Sequence, residues 1–480
     1  MTQRSLVWFR QDLRISDNPA LAAASHAGEI LPVYILDDEG AGEWAVGAAS
    51  RVWLHHALVD LDKSLGGGLQ LFRGEAEHML PEIVAEFGIS EVHWNRCYEP
   101  WRVARDTRIK ASLSRLGTNV HSHNASLLWE PWTIRKPDKT PYKVFTPFYK
   151  KGCLNGPAPR PPLPEPNHLK IIKDRASAST QLDDLGLLPK RDWHKTMMQS
   201  WQATEAGARD RLQTFLDTRL PDYAGGRDAP AKEATSRLSP YLHFGQISPR
   251  QIWHALETLE PDRNSERFRT ELAWREFSYA LLHDNPTLPE KNLQSRFDGF
   301  PWRSDYEADF EAWKRGMTGI PIVDAGMREL WQTGHMHNRV RMITASFLVK
   351  NLLIDWRLGE KWFWDTLVDA DLANNSASWQ WVAGSGADAA PYFRIFNPVL
   401  QAAKFDPKGE YIRAFVPELA NLEPPHLFDP GTAPAKVLEK ASIVLGSTYP
   451  RAIVDLKQSR ERALEGYAGM RGNGHAKTEL

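Results

Sequence analysis

Short apolar runs alternate with helix-spaced stretches from residue 1 to about residue 130. The runs LVWF (6–9), ILPVYIL (30–36), LQLF (69–72), EVHWN (91–95) and NVHSH (119–123) are rich in β-formers. Between them, around 18–27, 48–65, 76–87 and 101–116, apolar residues recur three and four apart. This alternation predicts a parallel, doubly wound, Rossmann-like α/β sheet over 1–130. ILPVYIL is apolar on both faces, as a strand covered on both sides must be. No G-x-G-x-x-G follows any of these strands, and no G-x-x-x-x-G-K-S/T occurs. A nucleotide on this domain would lack the usual phosphate-cradling loop, so a scaffold role and a second-ligand role both stay open.

From 131 to 200 the pattern is irregular. GPAPRPPLPEP (156–166) packs six prolines into eleven residues, which favours an extended, semi-rigid spacer. We read 131–200 as an interdomain connector lying over the surface. From 201 to 467 the helical period takes over, in ISPRQIWHALETL (247–259), ERFRTELAWREFSYALL (266–282), YEADFEAWKRG (306–316), VDAGMRELWQTG (323–334) and RVRMITASFLVKNLLIDW (339–356). These predict a larger all-α domain. Gly316, Gly334 and Gly359 stand where C-caps belong. The tail 468–480 carries no pattern and is expected to be disordered.

The chain of 480 residues is long enough for two or three domains with ordinary cores. With 59 basic and 60 acidic side chains the net charge is −1, which excludes a generally basic nucleic-acid coat protein. The charge is unevenly divided. Residues 1–130 hold 12 basic and 17 acidic side chains, and the remainder 47 and 43, so an anionic partner belongs on the helical domain. Two cysteines, Cys97 and Cys153, can neither ligate a four-cysteine iron–sulfur cluster nor build a disulfide framework. They point to a reducing, cytoplasmic compartment. The start MTQRSLVWFRQDLR has no signal-peptide apolar region, and no run approaches the length of a membrane span. Tryptophan is in excess: 19 residues, as many as Phe.

Several segments carry candidate chemistry. In ATSRLSPYLHFG (234–245), Thr235, Ser236 and Ser239 stand at a helix start. Hydroxyls there cap orphan N–H groups, the weightier reading, or gather with those groups around an anion such as a pyrophosphate. Glu271, Trp274 and Arg275 fall at i, i+3 and i+4, on one helix face. They read either as a solvated ion pair beside a core Trp or as a pocket wall with a carboxyl, a stacking surface and a fixed cation. In HMHNRVRM (335–342), His335 and His337 face apart, so no metal site is expected. Arg339 and Arg341 suit phosphates or ordinary helix salt bridges. The segment DADLANNSASWQWVAGSGADAAPYFRIFNP (369–398) is too polar for a core helix. Asp369 and Asp371 offer paired acceptors for sugar or ring N–H groups, and Asn375 shares a face with Trp379. Here the functional reading outweighs the packing one.

YKVFTPFYK (142–150), ATSRLSPYLHFG, ELAWREF (271–277), TGIPIVDAGMREL (318–330), MHNRVRMITASFLVKNLLIDW (336–356), the segment 369–398 and the opening LVWFRQDLRISDNPAL (6–21) resemble the corresponding motifs of the DNA photolyase/cryptochrome family. The resemblance spans nearly the whole chain and is to cyclobutane pyrimidine dimer photolyases of class I and the class III-like group. It implies one FAD in the helical domain and an optional antenna chromophore on the α/β domain. By similarity, Tyr223, Thr235, Ser236, Arg237, Leu238 and Ser239 contact the flavin's phosphates and ribityl chain. Arg275, Asn338 and Arg341 line the same cavity, and Asp369 and Asp371 meet the ring or sugar. Asn375 faces flavin N5 and favours the reduced or semiquinone form by hydrogen bonding.

The implied activity is that of a deoxyribodipyrimidine photo-lyase, in which an electron from excited FADH⁻ splits a flipped-out dimer in DNA and then returns. Glu271 matches the carboxyl that hydrogen-bonds the dimer and stabilises its transient radical anion. Trp274 and Trp381 match the stacking walls, with Met342 and Asn338 also beside the dimer. Flipping costs least where a lesion has already weakened pairing. Arg227, Arg339 and Arg394 match phosphate contacts, which position DNA without reading its sequence. Trp379, Trp356 and Trp302 match the relay that reduces the flavin, with Trp362 and Trp364 as other routes. Trp101 and Arg102 replace the Asn-Glu pair that binds folate in one branch, so the antenna pocket is differently built or empty. Of the antennas, methenyltetrahydrofolate is favoured over deazaflavin, with Trp129 and Trp132 either stacking on a pterin or simply packing. A monomer acting on dimer-containing DNA, with no metal and no membrane, is expected. The rival is a cryptochrome-type blue-light photoreceptor, a group that often carries a long C-terminal extension where only a short tail follows here. A flavin redox enzyme without a DNA role has no need of the cleft formed by Glu271, Trp274, Met342 and Trp381.

Overall fold

A computed structural model describes residues 3–389 and 393–474. The protein combines an N-terminal parallel-sheet domain with a helical C-terminal domain. By packing, the chain divides into two compact units. One comprises Met1–Pro221, Ser236–Pro286 and Val368–Ala373, and the other Asp222–Thr235, Thr287–Leu367 and Asn374–Leu480.

In the first unit β1 (Gln3–Phe9), β2 (Gly28–Leu36), β3 (Gln70–Arg73), β4 (Glu91–Asn95) and β5 (Asn119–His123) form a parallel sheet of order β3-β2-β1-β4-β5. The crossovers are α1 (Pro19–Ser25), α2 (Ala48–Ser64), α3 (Ala76–Phe87) and α4 (Pro100–Arg115). One side of the sheet buries Leu6, Trp8, Val33, Phe72, Val92 and Trp94 against Leu80 and Ile83 of α3 and Ile109 and Leu113 of α4. Trp8 meets Trp94 edge-on, with centroids 5.8 Å apart and planes at 83°. The strand order reverses between β1 and β4, where a doubly wound sheet ordinarily binds its ligand. There the carboxyl ends of the strands are knit by buried ion pairs. Arg10 Nη1 lies 2.7 Å from Asp106, and Arg105 lies 3.0 Å from Asp37 and 2.9 Å from Asp106.

The stretch read as an irregular connector adds a short strand, β6 (Lys170–Ile171), beside β2, and Thr180 bridges Leu71. The helices Glu205–Thr214, Pro249–Glu257 and Arg263–Asp284 also belong to this unit. Trp53 Nε1 of α2 donates to Gln246 Oε1 at 2.8 Å, and Arg14 Nη1 donates to the Gly245 carbonyl at 2.8 Å. Gly245 has φ +67°, and a Cβ there would run into the Gln11–Asp12 backbone. The compact units therefore follow packing, whereas divisions near 130 and 200 follow secondary-structure type.

The second unit is helical, with Glu307–Lys314, Pro321–Thr333, Asn338–Ser346, Trp356–Thr366, Leu372–Ala383 and Leu456–Gly474 among its elements. Its core gathers Trp313, Phe363 and Trp379. Phe363 stacks on Trp313 at 6.0 Å and meets Trp379 edge-on at 5.0 Å. Three expectations differ from what is found. Residues 339–356 are not one helix: Asn338–Ser346 runs into a wide π turn at Phe347–Asn351, Leu353 turns left-handed at φ +54°, and Asp355 caps a new helix by accepting from Arg357 N at 3.0 Å. Trp356 thus opens a helix rather than closing one. Gly334 and Gly316 do end helices, at φ +65° and +62°, but Gly359 lies inside Trp356–Thr366. A Cβ there would overlap the Trp379 ring, so this glycine makes room for an indole. Finally, the helix Leu456–Gly474 reaches into the segment expected to be a disordered tail, because Tyr467 and Met470 pack on Phe297 and Phe300. Residues 475–480 lie outside those described.

Candidate functional site

In the first unit the site residues sit on three segments. Asp262 starts the helix Arg263–Asp284 with a capping box, accepting from Ser265 N at 2.7 Å. Glu271, Trp274 and Arg275 follow on that helix but engage different partners. Glu271 Oε1 lies 3.5 Å from Arg267. Trp274 lies flat on Phe145, with centroids 3.8 Å apart and planes at 7°, so one of its faces is covered. Arg275 donates to the Ser126 carbonyl at 2.7 Å and lies 4.8 Å from the Tyr279 ring.

The second segment is Ser236–Ser239. Arg237 is left-handed at φ +52° and stands 5.7 Å over Trp201. Leu238 is buried. The following helix Ser239–His243 has no side-chain cap. Ser239, the first residue of that helix, does not cap it. Ser239 Oγ donates instead to Asp369 Oδ2 at 2.6 Å, and Ser236 Oγ accepts from Leu238 N at 3.4 Å.

Asp369 and Asp371 form the third segment. Asp371 accepts from the Tyr279 hydroxyl and lies 3.9 Å from His243 Nδ1. Burial pushes its carboxyl up. The His243 ring, Arg275 and the Tyr279 hydroxyl outweigh that and hold it well below the usual carboxylate range. The result is a half-buried, ionised acceptor, suited to ring N–H or sugar hydroxyl donors. Tyr279 and His243 were missed in the sequence. Tyr279, four residues after Arg275, carried a usable signal, whereas His243 carried none.

In the second unit Tyr223 is buried, with Arg227 5.4 Å from its ring, and Thr235 is half-buried. Arg227 and Arg339 converge on one carboxylate, Asp228, at 4.0 and 3.0 Å. Arg339 also covers Phe405 at 4.4 Å and points Nη1 at Met342 Sδ, 3.8 Å away. Asn338 is exposed in the first turn of its helix, and Arg341 Nε donates to the Met336 carbonyl at 2.7 Å.

The polar segment after 371 forms the helix Leu372–Ala383. Asn375 Nδ2 donates to the Glu360 carbonyl at 3.0 Å, which fixes the amide and leaves its oxygen as an acceptor. A reduced flavin carries N–H at N5, so this donor set fits that group. Trp379 faces inward over Gly359. Trp381, two residues on, faces another way and is half-buried, with the exposed Arg394 5.8 Å from its ring. Gly359 is three residues beyond Trp356 on one helix, so Trp379 lies beside the turn that Trp356 opens. Trp356 is fully buried, with Nε1 donating to Asn292 Oδ1 at 3.0 Å. Trp302 packs on Phe300 at 4.4 Å and beside Leu353, three residues before Trp356. A further pair, Trp331 and Trp362, stacks at 6.1 Å and 2°, lining a surface cavity of about 390 Å³ with Lys314 and Arg328. Their pairing joins two helices and left no mark in the sequence.

Of the antenna candidates, Trp129 is committed to packing, edge-on to Trp253 at 5.5 Å, with Nε1 donating to the Pro157 carbonyl at 2.7 Å. Trp132 is 46% exposed, with Arg96 5.8 Å over it.

A parallel-sheet domain of this order with a tryptophan-rich helical domain defines the class of flavin-binding photolyase and cryptochrome proteins. Residues 5–167 match the DNA photolyase family and residues 268–469 match the FAD binding domain of DNA photolyase. The chain is 51% identical over 475 residues to the deoxyribodipyrimidine photo-lyase of Agrobacterium fabrum, covering 97% of this chain and 98% of that one. It is 39% identical over 479 residues to cryptochrome-2 of Arabidopsis thaliana, covering 96% and 78%. The crystal structure of a bacterial class III photolyase from Agrobacterium tumefaciens superposes with a TM-score of 0.94 at 50% identity, covering 98% of both chains. An archaeal photolyase from Sulfolobus tokodaii, solved with two FAD molecules, gives 0.81 at 30%, covering 97% of this chain and 100% of that one. The chain belongs to the DNA photolyase family. No described helix is long and apolar enough to cross a membrane.

Proposed function

We propose that the protein is a deoxyribodipyrimidine photo-lyase that repairs cyclobutane pyrimidine dimers in DNA under blue light. A bound, fully reduced FAD supplies the light absorption and the electron. The observation that carries this reading is the pinned Asn375 amide, whose oxygen would accept from a reduced flavin's N–H. Asp369 and Asp371 bind and orient the cofactor through their acceptor oxygens, with Ser239, Tyr279 and Arg275 holding them in place. Tyr223, Thr235, Ser236, Arg237, Leu238, Asn338 and Arg341 complete its contacts.

Glu271 hydrogen-bonds the flipped dimer. Trp274 offers it the ring face that Phe145 leaves uncovered, and Trp381 and Met342 are the further residues assigned to contact the dimer. Arg227, Arg339 and Arg394 position the DNA through its phosphates. Trp379, Trp356 and Trp302 conduct electrons inward. We assign the antenna role to residues 1–130, with 131–200 as the connector, and prefer methenyltetrahydrofolate, with Trp132 of the connector as the available stacking surface. The protein acts as a monomer in the cytoplasm, and its two free, buried cysteines suit that reducing compartment.

The test uses photoreduced protein and dimer-containing single-stranded DNA under blue light, with thymine absorbance followed. Recovery of absorbance is expected. Its absence with the flavin still reduced overturns repair and leaves the photoreceptor reading.

A further inference from the structure

We propose that Glu91, His93 and His121 form a binding site for a divalent transition metal of the zinc class on one face of β4 and β5. Parallel pairing sets His93 directly beside His121, and strand alternation puts Glu91 on the same face. Val92 and Val120 point the other way, into the core shared with α3 and α4. The two imidazole rings stack at 4.8 Å and 20°. One ligand atom from each of the three residues lies within 4.8 Å of the other two, and His93 Nε2 is 3.4 Å from Glu91 Oε2. Zinc bonds of about 2.0–2.1 Å in a tetrahedron put ligand atoms roughly 3.4 Å apart. A small rotation of His121, which is exposed, closes the difference.

The surroundings suit a metal ligand. His93 is buried, and its Nδ1 lies 3.3 Å from His123 Nε2. Donation from Nδ1 to His123 leaves the Nε2 lone pair aimed at Glu91. This is the arrangement by which a second histidine fixes the tautomer of a metal-bound one. Two imidazoles and one carboxylate select zinc, nickel or cobalt over magnesium or calcium, which take all-oxygen sets. Water completes the fourth position on the exposed His121 side. The ion would tie the edge strand β5 to β4, at the border where a sheet is otherwise weakest.

The test is a calorimetric titration of the full-length, flavin-loaded, EDTA-stripped protein with zinc chloride. One equivalent is expected to bind at micromolar concentration. His121→Ala, at an exposed position, should weaken binding at least tenfold, and His123→Ala about 10- to 100-fold. His78→Ala removes a separate His–Glu pair, with His78 2.9 Å from Glu75, and should bind as the parent does. Zinc should raise the melting temperature of the parent but not of His121→Ala. No binding by the parent, binding unchanged in His121→Ala, or binding lost in His78→Ala overturns the site.

Discussion

Gly359→Ala tests whether the inner tryptophan is seated as described. The substitution adds one methyl inside a helix, where alanine should stabilise by about 1 kcal/mol over glycine. Here that methyl meets the Trp379 ring and Leu348 Cδ2, the latter at 2.7 Å. Carbon atoms pack best at roughly 3.5–4.0 Å, so the indole must move by about an ångström or more. Overpacking of this kind costs about 1–3 kcal/mol. The Phe363 contact at 5.0 Å and the Trp313 contact at 6.4 Å leave the ring little room to retreat. The clash should cancel or outweigh the helix gain, for a net change between about zero and 2 kcal/mol of destabilisation. Urea unfolding measures it, and flavin photoreduction should slow if, as proposed, the displaced ring is the innermost relay member. A variant about 1 kcal/mol more stable than the parent, with unaltered photoreduction, would show that no ring abuts Gly359.

Trp379→Phe should block photoreduction while chemically reduced protein still repairs dimers, and normal photoreduction in that variant refutes the relay assignment. Asp371→Asn removes the carboxylate shared by Arg275, His243 and Tyr279. Breaking such a buried pair costs about 3–5 kcal/mol, and flavin per chain should fall with it; unchanged melting and flavin content refute the role. Glu276 is buried, which pushes its carboxyl up to about 7 against Arg275 and the N–H groups of Trp129 and Leu128. Its folded pKa is above the unfolded value of 4.5, so the folded state holds a proton that the unfolded chain has released. That contribution is full below the unfolded pKa and is lost as pH rises through the folded one, a fall of roughly 3 kcal/mol between pH 5 and 8. Glu276→Gln should flatten this slope, and identical urea midpoints for parent and variant at both pH values would count against it.

Much of the architecture was legible because it depends on local periodicity. Each crossover of the sheet was readable from the alternation of period two and near-continuous apolar runs with period three and four. The break within 339–356 was not, because its apolar spacing stays helical across the wide turn. Only Asp355, a capping residue set among apolar neighbours, hinted at a fresh start. The site was half legible. Asn375 and Asp371 stood out as polar residues where a core helix should be apolar. Their partners, the Glu360 carbonyl and His243, come from segments far along the chain.

The tryptophan excess shows where the limit lies. Composition alone raised the question of what 19 such residues do, and the motifs proposed roles for some. Only the packed structure separates Trp129, spent on a carbonyl and an edge contact, from Trp379, which lies over Gly359. The same holds for Glu91, His93 and His121. Reading along the chain predicted no metal site, since spacing within one element is all that a sequence exposes. Strand register is a pairing between segments 28 residues apart, as in His93↔His121, and it comes into being only when the sheet forms. The sequence by itself determined which elements form and which polar residues interrupt them. Which side chains share a space was decided by tertiary packing, because proximity between distant segments depends on register and burial rather than on local spacing.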